Sequence, residues 1–246
     1  MMRVTCVVDD AVERSSPYWG EHGVAFLIET GSARILFDTG QSGTVLLRNL
    51  DLLDVDPASL DAVAISHGHY DHTGGLEVLL DGLQPGTPLY ASPDIFRERY
   101  SIDDGEMEDV GTTVGRERLA ARMALRLHRD AQEMAPGVWT TGEIEERPEK
   151  EGSSPRHRMR EDGELVQDRY LDDMGVVLGW DDGLALICGC CHAGLLNTLA
   201  HVEEIFEMPV ELIAGGLHLT GATPEELEHV GQALGDRPAL KRIYPN

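Results

Sequence analysis

Read for the spacing of its apolar positions, the chain opens on a short strand pattern, "VTCVVDD" (Val4–Asp10). Two β-branched, apolar runs then flank Thr30-Gly31-Ser32 in "VAFLIETGSARILFDTG" (Val24–Gly40), the pattern of a hairpin. "GTVLLRNLDLL" changes to helical spacing, Asp56-Pro57 interrupts it, and "AVAISH" is apolar enough for a buried strand. "TGGLEVLLDGL" predicts a further helix and "TPLYAS" a further strand. After residue 170 the same order returns. "GVVLGWDDGLALICGCC" (Gly175–Cys191) predicts a hairpin turning at Asp181-Asp182-Gly183, and "GLLNTLAHVEEIFEM" an amphipathic helix. "VELIAGGLH" (Val210–His218) predicts a buried strand that runs into a histidine. "TPEELEHVGQAL" starts a last helix, with Thr223 placed to cap it and Pro224 in the first helical position.

Hairpin, helix, strand and terminal histidine therefore occur twice. The spacing agrees: 29 residues separate Asp38 from His67, and 28 separate Cys190 from His218. Two such halves, each with ligand-type residues at its strand ends, predict two sheets packed face to face with helices outside. This is an α/β, four-layer αββα sandwich of two similar halves, with its site in the groove between them. The whole chain, 1–246, is expected to be one domain. Residues 101–137 read as charged and partly helical, including "RERLAARMALRLHRD". Residues 145–164, "EERPEKEGSSPRHRMREDGE", are almost wholly polar and are expected to be a mobile insertion.

Composition changes this picture mainly through charge. The 246 residues hold 44 acidic and 20 basic side chains, a formal net charge of −24, and Lys150 and Lys241 are the only lysines. Such a field repels nucleic acid and anionic membranes. It fits adaptation to a high-salt cytoplasm better than a dedicated binding partner. No apolar run is long enough to cross a membrane and the N-terminus shows no secretory pattern. Cys6, Cys188, Cys190 and Cys191 form a poor disulfide framework, and together these features predict a cytoplasmic location.

The chemistry concentrates in "ISHGHYDHTGGL", which places His67, His69, Asp71 and His72 just beyond an apolar strand. Imidazoles and a carboxylate so crowded gain little from each other, whereas one or two divalent transition metal ions give them a common partner. Imidazole and carboxylate ligands favour zinc, with manganese or iron also compatible.

The motif resembles that of the metallo-β-lactamase-fold hydrolases. "EHGVAFLIE", "LFDTGQS", "SHGHYDHTGGL", "TTGEIEER", "GCCHAGLLNTL" and "GGLHL" together resemble the subgroup of 7,8-dihydropterin-6-ylmethyl-4-(β-D-ribofuranosyl)aminobenzene 5′-phosphate synthase-like proteins. The resemblance implies His67 and His69 at one metal, Asp71 and His72 at a second, and His218 completing the second. His192 is the expected third histidine of the first, with His128 in reserve. Cys190 stands where many members carry a bridging aspartate, and either ligates metal or packs the strand end. Asp38 is expected to orient a ligand histidine, His22 to touch substrate, and Glu143 is a weaker candidate for the same role. His128, His157, His201 and His229 read as solvated. The subgroup's typical "IYPNHCTG" stops here at "IYPN", so what His-Cys-Thr-Gly contributes lies outside these residues.

The expected function is a metal-dependent hydrolase, or a pterin-related synthase, acting on a small and possibly phosphorylated or pterin-like molecule. Asp71 is the expected catalytic carboxylate. A non-catalytic, metal-stabilised sensor of a small ligand is the alternative, which the intact ligand set disfavours.

Overall fold

In the computed structural model of the protein, which describes residues 2–180 and 183–246, the first half runs as β1 (Arg3–Val8), β2 (Ala25–Glu29), β3 (Arg34–Phe37), α1 (Gly43–Leu52), β4 (Ala62–Ala64), α2 (Tyr70–Thr73), α3 (Leu76–Gly82) and β5 (Pro88–Ala91). A hairpin of β6 (Arg99–Asp103) and β7 (Glu106–Asp109) follows, then α4 (Arg116–Ala120) and β8 (Ala124–Leu127). Next come β9 (Glu133–Ala135), β10 (Val138–Thr140), β11 (His157–Glu161) and β12 (Glu164–Gln167). The second half is β13 (Val176–Trp180), β14 (Gly183–Cys188), α5 (Leu195–Phe206), β15 (Val210–Gly215), α6 (Pro224–Gly235) and β16 (Arg242–Pro245).

Two six-stranded sheets, ordered β1-β2-β3-β4-β5-β8 and β16-β15-β14-β13-β10-β9, contain the repeated unit. β2 and β3 pair antiparallel and β3 and β4 parallel; β13 and β14 pair antiparallel and β14 and β15 parallel. Period-two alternation divides each strand between two layers. Phe26, Ile28, Ile35 and Phe37 face Val176, Leu178, Ala185 and Ile187 in the core between the sheets. Leu27 and Leu36 point the other way, into a cluster with Leu46, Leu50, Leu76 and Leu79 of α1 and α3. Leu184 and Leu186 pack beneath Leu199 and Val202 of α5 and Val230 and Leu234 of α6. The result is the expected αββα sandwich. At α6, Thr223 and Glu226 form a reciprocal capping box, with Pro224 in the first turn.

The middle of the chain holds more strand than its sequence pattern suggests. Residues 101–137 contain only the short helix α4; the rest of their regular structure is strand. Within the segment 145–164, residues 157–161 are β11, hydrogen-bonded to β12 on one edge and β6 on the other in a separate four-stranded sheet, β12-β11-β6-β7. These strands are mostly polar and bury little, with Met159 the one buried side chain of β11, and their pairing comes from the backbone, to which side-chain hydropathy is blind. The proposed turn at Asp181-Asp182 lies outside the described residues.

Candidate metal centre

Both halves deliver their strand ends to one groove. Beyond β3, Asp38 takes a left-handed φ of 59° and is fully buried. Its Oδ1 accepts the Ser66 N–H and its Oδ2 the Ser66 hydroxyl, both at 2.7 Å. Asp38 Oδ2 also lies 2.7 Å from His72 Nδ1. A carboxylate only accepts, so Nδ1 of His72 carries the proton and Nε2 turns away from Asp38. The Ser66 hydroxyl has spent its hydrogen on Asp38, and therefore accepts from His67 Nδ1 at 2.9 Å. From the second half, His192 Nδ1 donates to the Gly152 carbonyl at 2.8 Å. Three imidazoles are thus held from behind, with Nε2 directed inward, the arrangement that orients metal-ligand histidines. Gly189 lets the halves close: a Cβ there would lie 2.3 Å from Ser66 Oγ and 2.8 Å from Asp38 Oδ2.

Among the described residues three overlapping sets of donors have all their ligand atoms within 4.8 Å of one another: His67, His69 and His192; His67, His72 and Cys190; and Cys190, His192 and His218. The first brings together His67 and His69 of the first half and His192 of the second. Within the cluster, His67 Nε2 lies 3.0 Å from His69 Nδ1, and His72 Nε2 is 3.1 Å from Cys190 Sγ and 3.3 Å from Asp71 Oδ2. Nε2 of both His69 and His192 is buried with no hydrogen-bond partner among the described residues. Native interiors rarely leave such atoms orphaned.

Electrostatics agree with a cation at this place. Burial lowers the pKa of His67, His69 and His192 well below the usual imidazole range, leaving the neutral form that ligates metal. At His72 burial also lowers the pKa, but the charges of Cys190, Asp71 and Asp38 outweigh it and lift the group. Burial pushes the Asp71 carboxyl up, yet His72, with His69 and His22, holds it well below the ordinary carboxylate range. The space facing His72 Nε2 thus favours positive charge, whether a proton or a metal ion. The residues present fit a divalent transition metal.

Residues 18–112 match the model of the metallo-beta-lactamase superfamily. The chain is 31% identical to the 7,8-dihydropterin-6-methyl-4-(beta-D-ribofuranosyl)-aminobenzene-5'-phosphate synthase of Methanocaldococcus jannaschii, over 95% of this chain and 83% of that protein. The chain belongs to the metallo-β-lactamase superfamily. A second M. jannaschii protein, the uncharacterized MJ0448, is 28% identical over 87% of this chain and 78% of its own length. Among solved structures, Tm1679, a metal-dependent hydrolase of the β-lactamase superfamily, has the same fold. It superposes with a TM-score of 0.82 at 24% identity, covering 100% of this chain and 96% of that one.

Around this superfamily motif stand residues that sequence reasoning missed. Arg99, at the start of β6, is buried and pairs with Asp168 at 2.7 Å and Asp172 at 2.6 Å. Asp172 in turn accepts the Gly68 N–H at 2.8 Å, fixing the turn between His67 and His69. A Cβ on Gly68 would lie 2.3 Å from the Ile95 carbonyl and 2.5 Å from Arg99 Nη1. Tyr170 is buried and stacks on the His192 ring, 4.0 Å between centroids and 7° from parallel. His157, expected to be solvated, is half-buried: its ring meets that of His69 edge-on at 5.2 Å. One signal existed for the carboxylates, the run "DRYLDDMG", but an excess of acidic residues masks it.

The other expected residues divide clearly. His22 is exposed beside the cluster, its Nε2 3.6 Å from Asp71 Oδ2. Asp71 lies in none of the three donor sets but adjoins His72. Glu143 is buried away from the centre, accepting from Ser92 at 2.6 Å and pairing with Arg129. His128 approaches the Asp130 carbonyl, and His201 the Thr141 carbonyl; neither joins a donor set. His229 pairs with Glu149 on the surface. A cavity of about 860 Å³ opens beside the centre. His22, His157 and His218 share its lining with the apolar side chains of Leu196, Leu217 and Val230.

Proposed function

We propose that the protein is a metal-dependent enzyme acting on a small, phosphorylated, pterin-like molecule, as a hydrolase or as a related synthase. His67, His69 and His192 would hold one divalent transition metal ion, zinc in the first instance, and Asp71, His72 and His218 a second. The observation that carries this reading is the buried donor set of His67, His69 and His192, whose ligand atoms lie within 4.8 Å of one another, with Nε2 of His192 left without a hydrogen-bond partner among the described residues. A divalent ion bound there supplies Lewis acidity, polarising a phosphoryl or carbonyl oxygen and activating water.

The chain's own groups do the rest. Asp38 and the Gly152 carbonyl keep the Nδ1 protons of His72 and His192, leaving Nε2 free to ligate. Asp71, held ionised, presents Oδ2 as a proton acceptor between His72 and His22. The cavity is of the size that encloses a small organic ligand, and its leucines offer a wall for a planar ring system. Its two cations are already engaged: Lys150 pairs with Glu226, and Arg156 with Asp103 at 2.8 Å. Glu149 and Glu225 add negative charge to the lining, so a phosphate would depend on the metal centre for its counter-charge. The M. jannaschii synthase supports a pterin and phosphate chemistry for the substrate. No helix among the described residues is long and apolar enough to cross a membrane. The free cysteines support a cytoplasmic location and the net charge of −24 a reading with no nucleic-acid partner.

The test is elemental analysis of purified protein beside His67→Ala and His192→Ala. One or two transition metal ions per chain are expected, with metal affinity falling at least 10- to 100-fold in each variant, a loss that even outer-sphere changes reach. Metal-dependent turnover of generic phosphodiesters and esters should vanish with it. Full metal occupancy in both variants would remove the assignment.

A further inference from the structure

His157 sits in a stretch so polar that its sequence suggests only solvent, yet the fold builds it into the cavity wall. Its backbone is fixed in β11, opposite Ser101 of β6. Its Nδ1 lies 2.8 Å from Tyr170 Oη, and the same oxygen accepts the Ser154 N–H at 3.2 Å. A phenol has one proton to give. With Ser154 donating to the oxygen, that proton goes to His157 Nδ1, for which no competing acceptor stands among the described residues. An imidazole that accepts at Nδ1 carries its hydrogen at Nε2. Tyr170 cannot swing away, being buried and stacked on His192. The network thus sets both the ring orientation and the tautomer. Nε2 has no partner among the described residues, and the residue lines the cavity beside His218.

We infer that His157 is a catalytic residue outside the metal-ligand pattern, whose Nε2–H donates a hydrogen bond to an anionic oxygen of the substrate's phosphoryl group. The inference rests on the metal-dependent reading above. The proton stays on Nε2, and the residue acts as a fixed dipole aimed at negative charge, needing no reorganisation when the reaction begins. Tyr170 is its positioning residue, and the stack with His192 couples the donor to the metal centre.

Two measurements decide it. Long-range ¹H–¹⁵N correlation spectra of the wild-type protein should show His157 as the Nε2–H tautomer, and Tyr170→Phe should release it to a mixture. On zinc-loaded protein, calorimetric titration with inorganic phosphate should give an affinity about 10- to 100-fold lower for His157→Leu, the range for a hydrogen bond to a charged group. Zinc content should be unchanged in His157→Leu, and His157→Gln, which keeps an N–H donor, should recover most of the affinity. An Nδ1–H tautomer in the wild type, or equal phosphate affinity in wild type and His157→Leu at equal zinc content, would overturn the inference. A wild-type protein that takes up no divalent ion fails the metal-dependent reading instead.

Discussion

Asp173 accepts the Ala193 N–H through Oδ2 at 2.8 Å, while its Oδ1 is buried without a partner among the described residues. Burial pushes this carboxyl up from the ordinary 3.8 to about 7. The sign of the consequence is fixed by linkage. A raised pKa means the folded protein binds a proton that the unfolded chain has released, so this contribution is whole below about pH 4 and lost as pH rises through 7. Asparagine mimics the protonated form without the loss. Urea unfolding of wild type and Asp173→Asn across pH 4 to 8 should therefore show the variant gaining on the wild type as pH rises, then levelling above about 7. The buried imidazoles of His67, His69 and His192, whose pKa values are lowered, act with the opposite sign and destabilise the metal-free fold as pH falls below 6.5. Both proteins share them, so the difference isolates Asp173. A difference independent of pH would show that its carboxyl is not shifted.

At the level of elements, the four-stranded sheet braces the histidine turn through one side chain. Arg99 of β6 neutralises Asp168 and Asp172, and Asp172 holds the Gly68 N–H. Arg99→Met would leave two buried carboxylates without a counter-ion, a loss of about 3–5 kcal/mol. Chemical denaturation should show a drop of that size, and the folded fraction should bind metal less tightly because the turn between His67 and His69 has lost its brace. Stability within about 1 kcal/mol of wild type would mean the carboxylates find other partners. This sheet also marks the limit of what the sequence reveals. The hairpin of β2 and β3, the later strand β15 and the cap of α6 were legible because alternation, burial and capping chemistry are local. The cluster from His67 to His72 was legible for the same reason, its ligands falling within six residues. β7, "EMED", is exposed along its length, and β11 turns only Met159 to the interior, so neither carries an apolar signal. Arg99, His157 and Tyr170 reach the site through cross-strand pairing and a long loop, which no local pattern encodes.

For the whole molecule the dominant quantity is a net charge of −24. Among the described residues seven acidic side chains, Asp38, Asp71, Asp94, Glu143, Asp168, Asp172 and Asp173, are buried, most of them hydrogen-bonded or ion-paired. Most of the other described acidic residues face solvent, where mobile ions reach them. Exposed ion pairs such as Arg118–Glu77 at 2.9 Å and Arg156–Asp103 at 2.8 Å contribute little to stability, and salt weakens them. Repulsion among the unpaired carboxylates is the larger collective effect, and it falls as the screening length shrinks from about 10 Å at 0.1 M salt to about 3 Å at 1 M. The melting temperature should therefore rise from dilute buffer to molar potassium chloride. Chloride is the salt to use, because sulfate stabilises folded proteins generally by exclusion from their surface. The same rise should persist in His192→Ala, since the metal centre is buried and contributes little to the screened repulsion. A melting temperature flat or falling with potassium chloride would reject salt adaptation as the reason for the acidic surface, and a rise lost in His192→Ala would assign the effect to ions at the centre.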